Sequence, residues 1–182
     1  MKVAPNLILI GPMGAGKSSI GRRLARRLGL QFVDADVELE RQTGATVALI
    51  FELEGEVGFR ERERALLAGL CAGRGQVIAT GGGAVLDAHT RRQLAESGFV
   101  IYLKIDLDRQ LQRLARDRQR PLLQAPDRRE RLSALSAQRA PLYAEIADLE
   151  LDSGRLNVAM ATHRLAELLQ DRWQSPCAAG AA

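Results

Sequence analysis

The sequence predicts an α/β fold built on a parallel sheet, and three observations predict it. Short, nearly continuous apolar runs alternate with longer amphipathic segments along the chain, the order of a β-α succession whose strands are covered on both faces. The first apolar run leads straight into Gly11-Pro12-Met13-Gly14-Ala15-Gly16-Lys17-Ser18, a G-x-x-x-x-G-K-S spacing that belongs between a strand and a helix. The length, 182 residues of which 46% are apolar, suits one domain with a full core.

Strands are expected at Leu7–Ile10, Gln31–Asp34, Val77–Thr80, Phe99–Ile105 and Glu150–Asp152. Helical patterns lie between them, near 17–28, 36–43, 56–73, 88–97, 106–117, 127–146 and 157–173. The stretch Ser175-Pro176-Cys177-Ala178-Ala179-Gly180-Ala181-Ala182 lacks bulky apolar side chains and is expected to be a disordered tail. Residues 1–174 then form a single domain. Aromatics make up only 4%, so the core is expected to be Leu, Ile, Val and Ala.

Composition excludes several function classes. The 26 basic against 22 acidic residues leave +4, too modest an excess for a protein that coats nucleic acid. The few aromatics also argue against a base-stacking platform. No apolar run approaches the length of a membrane span, and the short run before Gly11 is no signal-peptide core. Cys71 and Cys177 are isolated thiols without metal-site spacing. A cytoplasmic protein without nucleic-acid or membrane partners is expected.

In a parallel sheet, ligands bind beyond the carboxyl ends of the strands, so the residues after each strand carry the functional reading. After the first strand, the glycines let backbone N–H groups turn inward around phosphate oxygens. The helix beginning near Lys17 adds its positive end. Lys17 can reach the β- and γ-phosphates, and the Ser18 hydroxyl can ligate Mg²⁺. After the second strand, Asp34 and Asp36 stand two residues apart. One can hold a metal through water while the other orients a nucleophile, although Asp36 also suits a helix cap. After the third strand, Gly81-Gly82-Gly83 removes every side chain where backbone can approach a ligand, or makes a flexible turn. After the fourth, Asp106 reads as a helix cap.

Two arginine segments complete the pattern. Arg113, Arg116, Arg118 and Arg120 run into Pro121, where a helix must stop. A basic loop there can close over ATP, although Arg116 and Arg118 suit a solvated face. Arg60, between the acids of Phe59-Arg60-Glu61-Arg62-Glu63, is either tied in helical ion pairs or aimed at an acidic substrate. The residues alone thus describe an ATP-dependent phosphotransferase. Its length leaves little room for a second domain, which favours a small acceptor.

The chain also resembles the shikimate kinases over about residues 5–170. The matching segments fall in the family's order: the Gly11–Ser18 loop, Asp34-Ala35-Asp36, Phe59–Glu63, Gly81-Gly82-Gly83-Ala84-Val85, Arg120-Pro121-Leu122-Leu123 and Arg139-Ala140-Pro141-Leu142-Tyr143. The resemblance implies a P-loop, nucleoside-monophosphate-kinase-like fold of three α/β/α layers. Its five-stranded parallel sheet would run in the order 2-3-1-4-5. It also implies a monomer that transfers the γ-phosphoryl of ATP to the 3-hydroxyl of shikimate. The substrate-binding part would lie near 36–63 and the lid near 113–124.

By the same resemblance, Gly14, Ala15, Gly16, Lys17, Ser18 and Ser19 would wrap the ATP phosphates, with Ser18 and Asp34 on Mg²⁺. Asp36 would bind the ring hydroxyls and accept the proton of the attacking one. Arg60 and Arg139 would grip the shikimate carboxylate, with the Gly82 backbone against the ring. Glu63 would orient Arg60, and Phe59 would wall the pocket. Arg120 would contact the phosphates with the lid, assisted by Arg113. Arg155 is the candidate for adenine, in a loop that departs from the family by lacking a following Pro. The competing readings are a gluconate-type or nucleoside-monophosphate kinase and a non-enzymatic nucleotide switch. The Arg60/Arg139 pair with the triple glycine argues against the first, although a hydroxy-acid acceptor would still suit two arginines, and a switch has no need for a substrate-side Asp and two arginines.

Overall fold

The computed structural model describes residues 1–115 and 127–176. Its elements in chain order are β1 (Lys2–Val3), β2 (Leu7–Ile10), α1 (Lys17–Leu28), β3 (Gln31–Asp34), α2 (Ala35–Thr43), α3 (Val47–Ala72), β4 (Gln76–Ala79), a 3₁₀ turn (Ala84–Leu86), α4 (Ala88–Ser97), β5 (Phe99–Lys104), α5 (Leu107–Leu114), α6 (Arg128–Ile146), β6 (Leu149–Asp152), α7 (Val158–Gln170) and β7 (Trp173–Gln174). The main sheet is five-stranded and wholly parallel, in the order β3-β4-β2-β5-β6. Counted among the strands of that sheet alone, this is the expected 2-3-1-4-5.

Side chains of successive strand residues leave opposite faces of a sheet, and the core divides accordingly. Leu7, Leu9, Val77, Ile101 and Leu103 pack against α1 and α7 through Ile20, Leu24, Ala161 and Leu165. Ile8, Ile10, Val100 and Tyr102 face the other way, against Cys71, Leu94 and Tyr143. Ile78 joins Phe59, Leu66 and Leu67 of α3 on that same side. Helices on both faces explain why β2 and β4 are buried at every residue. The first strand of the sheet sits at its centre, where the winding reverses, so the crevice opens above β2.

Two features differ from the expectation. The chain ends meet in a short parallel pair, Lys2 against Trp173 and Val3 against Gln174, too brief to leave a periodic signal. The helix expected from residue 56 is preceded by a helical piece capped by Thr46, whose Oγ1 accepts from Leu49 N at 3.2 Å. The two pieces join at Gly55, at φ 69°. Leu49, Phe51 and Leu53 on this arm are exposed while Ile50 is buried, so apolar side chains lie on both of its sides and no single stripe marks it. Among the described residues no helix is long and apolar enough to cross a membrane.

Candidate active site

The phosphate loop is shaped by close packing. Gly11 follows β2 at φ 138°, and a Cβ there would strike the Leu103 carbonyl of β5. Only glycine lets the loop begin so near the neighbouring strand. The loop ends at Gly16, the cap of α1, which offers no side-chain acceptor to the first turn. The first N–H groups of this helix therefore face the crevice as an anion site. Lys17 Nζ spans the loop, donating to the Gly11 and Pro12 carbonyls at 2.7 and 3.0 Å.

Side chains from behind hold the loop. Buried Ser153, just after β6, shares its one hydroxyl proton between Ala15 O at 2.7 Å and Lys104 O at 3.0 Å. Arg113 in the last turn of α5 donates to Gly14 O at 3.1 Å, Ser153 O at 2.6 Å and Leu156 O at 3.2 Å. Arg113 thus joins the phosphate loop to the loop that follows β6. Ser153 was not singled out from the sequence, since a lone serine after a strand carries no spacing signal.

A cavity of about 530 Å³ opens over the phosphate loop, and Lys17, Ser18, Asp34, Asp36, Thr80 and Gly82 all line it. The residues expected at the ends of β2, β3 and β4 therefore meet in one place. Asp34 caps α2: its Oδ1 accepts from Asp36 N at 3.2 Å and Val37 N at 3.4 Å. The capping role considered for Asp36 falls to Asp34, and Asp36 lies in the first turn of α2. Asp106 caps α5 as expected, accepting from Arg109 N at 2.8 Å.

On the far side, the glycines after β4 are enclosed by charge. A Cβ at Gly81 would strike Glu63 Oε1 and lie 3.1 Å from Asp36 Oδ1, and one at Gly83 would strike the Arg60 guanidinium. Arg60 donates to Glu63 Oε2 at 2.6 Å and to Glu56 Oε1 at 3.2 Å. It also lies over the Phe59 ring at 5.1 Å, which stacks on Phe51. The arginine is thus tied in helical ion pairs, the first of the two readings open for it, and it stands beside the glycine loop. Glu63 is only 3% exposed, and its Oε1 has no hydrogen-bond partner among the described residues. Burial pushes its carboxyl up, against the pull of Arg60 and with the help of the Asp36 charge.

Arg139 of α6 donates from Nη1 to Gly82 O at 3.3 Å, and the Tyr143 hydroxyl donates to the same carbonyl. Tyr143 was given no role from the sequence. Its spacing of four residues from Arg139 on a helix was the available signal, since that places both on one face. Arg155 lines an adjoining open groove with Asp106, Arg109 and Asn157, whereas Arg113, Leu156 and Val158 line the main cavity. Arg120 and residues 116–124 of the expected lid lie outside the described residues, as does the tail from residue 177.

The family model for shikimate kinase matches residues 13–170. The chain belongs to the shikimate kinase family. Shikimate kinases of Stenotrophomonas maltophilia (strain K279a) and Xanthomonas campestris pv. campestris (strain 8004) are 54% and 52% identical over 174 residues, each alignment covering 96% of this chain and 97% of the relative. The shikimate kinase of Acinetobacter baumannii in complex with shikimate superposes with a TM-score of 0.84 at 46% identity, over 92% of each chain. A gluconokinase from Sinorhizobium meliloti, at 18% identity and TM-score 0.55, covering 94% of this chain and 97% of its own, shares the fold alone. As a shikimate kinase, the chain is an ATP-dependent phosphotransferase to an alcohol in aromatic amino-acid biosynthesis.

Proposed function

We propose that this shikimate kinase moves the γ-phosphoryl of ATP to the 3-hydroxyl of shikimate within the cavity over the phosphate loop, and that the residues brought together there divide the work. The observation that carries this reading is the shared lining: phosphate-loop residues on one wall, Asp36 and Gly82 on the other. The relative from A. baumannii is described in complex with shikimate, and its close overall likeness supports the same acceptor here.

The backbone from Gly14 to Ser19 wraps the ATP phosphates, and Lys17 exchanges its loop carbonyls for the β- and γ-phosphate oxygens. Oxygen donors on the cavity wall, the Ser18 hydroxyl and the Asp34 carboxylate, suit Mg²⁺, with water and phosphate oxygens as further ligands. The capping bonds of Asp34 use Oδ1, which leaves Oδ2 to reach the ion through water. Mg²⁺ supplies charge neutralisation along the phosphates.

Asp36 orients the acceptor hydroxyl in line with the γ-phosphorus. As the oxygen–phosphorus bond forms and the bond to ADP breaks, Asp36 accepts the hydroxyl proton. Arg60 and Arg139 hold the shikimate carboxylate, to which planar guanidinium groups are matched. The Gly82 backbone lies against the ring. Arg120 contacts the phosphates from a lid over 113–124, and Arg155 contacts adenine. The chain acts as a monomer in the cytoplasm, as one domain over 1–174 with its substrate-binding part over 36–63.

The test is ADP release from Mg-ATP with shikimate, with gluconate and with nucleoside monophosphates as controls. Stimulation by shikimate alone is expected. ATP binding without stimulation by shikimate overturns the acceptor half of the reading.

A further inference from the structure

Three parts of the molecule meet at the Gly82 carbonyl. It follows β4, lines the cavity, and accepts both Arg139 Nη1 and the Tyr143 hydroxyl. The two donors differ in freedom. Tyr143 is 1% exposed, its ring tilted against Tyr102 at a centroid distance of 4.9 Å within the core cluster beneath β2 and β5. Burial pushes its hydroxyl up to about 12, opposed by the neighbouring Arg139 charge, so it remains a proton donor throughout the neutral range. Arg139 is only partly buried, and its Nε is enclosed without a hydrogen-bond partner among the described residues. Its guanidinium is therefore oriented by the carbonyl it touches and by the Tyr143 hydroxyl beside it, and that carbonyl is held by a side chain rooted in the core.

We infer that Tyr143 is a positioning residue for the acceptor: its hydroxyl fixes the Gly82 carbonyl, and through it aims the Arg139 guanidinium at the acceptor carboxylate. The inference rests on the proposed roles of Arg139 and Gly82. Without the hydroxyl, a phenylalanine ring keeps the contact with Tyr102, while the peptide after Gly82 is free to turn. Arg139 then follows the carbonyl rather than presenting its fork to the substrate.

The experiment compares the full-length chain with Tyr143→Phe, Arg139→Lys and the double variant, measuring KM for shikimate and ATP separately and thermal stability. Tyr143→Phe is expected to raise the shikimate KM about five- to ten-fold, the size of one lost hydrogen bond, with the ATP KM unchanged. The double variant is expected to match Arg139→Lys alone, because the tyrosine acts through the arginine. Tyr102→Phe, a hydroxyl removed from the same cluster, is expected to leave the shikimate KM unchanged.

An unchanged shikimate KM in Tyr143→Phe overturns the inference. So does a parallel rise in both KM values, an equal effect from Tyr102→Phe, or full additivity with Arg139→Lys, each of which marks a packing role. An unchanged shikimate KM in Arg139→Lys overturns the acceptor role of Arg139 itself, and the inference with it. A raised KM in Arg139→Lys beside a normal Tyr143→Phe overturns the inference alone.

Discussion

The two walls of the cavity are built by different means. The phosphate wall comes from one continuous segment, Gly11 to Ser18, in which backbone N–H groups and a helix end face the crevice. Behind it stand the fixed bonds of Ser153 and Arg113 to loop carbonyls. The acceptor wall has no continuous segment. Asp36, Arg60 with Glu63, the glycines 81–83 and Arg139 arrive from four places in the chain and are held together by charge and by close approach. A contiguous loop is set by local geometry, whereas a scattered set depends on tertiary register. Damage to the second wall should therefore spare the first.

The largest separation is expected from Asp36→Asn. It lowers turnover by about 10²–10⁴-fold, the range for losing a general base, while ATP binding measured by calorimetry stays unchanged. Equal loss of turnover and ATP affinity would place Asp36 on the phosphate wall. Next comes the converse, Lys17→Ala. It lowers turnover by about 10²–10³-fold through lost stabilisation of developing phosphoryl charge. ATP affinity falls with it, and shikimate binding in the absence of nucleotide is retained.

A smaller effect, confined to the acceptor wall, is expected from Gly83→Ala. The added Cβ meets the Arg60 guanidinium, which cannot retreat without breaking its bond to Glu63. Loss of a hydrogen bond to a charged group predicts a shikimate KM raised about ten-fold, with the ATP KM unchanged. If both KM values rise, the two walls are mechanically coupled through Gly82, which lies near Met13 N and Gly11 O.

The same contrast decided what was legible in the sequence. The phosphate wall followed from spacing alone, because each residue's role lies within eight positions of one strand end. Strand positions also followed, since burial on both faces leaves unbroken apolar runs such as Leu7–Ile10. Asp36, Arg60 and the triple glycine stood out one by one, but Arg139 and the grouping of the acceptor set came by resemblance. Nothing in the spacing of Arg60 or Arg139 says that both turn toward the same glycines. The arm before Gly55 escaped because exposed Leu49, Phe51 and Leu53 blur the stripe that buried Ile50 belongs to, and the Asp34 cap escaped because two aspartates stood where one was needed. Ser153 acts through backbone carbonyls, which have no sequence signature, and for Tyr143 the one signal was its four-residue spacing from Arg139.

The finest test of the acceptor wall is its dependence on pH. Glu63 is buried, and its carboxyl is raised above the ordinary value of 4.5, with desolvation outweighing the pull of Arg60. Between 4.5 and that raised value, the folded chain holds a proton that the unfolded chain has lost. The unfolded state then binds fewer protons, so this group's contribution to stability is fully present below the lower value and is lost as pH rises through the raised one. Glu63→Gln removes the titration. The melting temperature of the parent relative to Glu63→Gln should therefore fall as pH climbs through the window and level off above it, as thermal melts from about pH 4 to about pH 8 would record. The variant should also loosen Arg60 and raise the shikimate KM modestly while leaving the ATP KM in place. A relative stability that rises with pH would mean the Arg60 pair outweighs burial. Glu63 would then be a firm ionic anchor for Arg60, rather than a strained carboxylate held in place by the glycine loop around it.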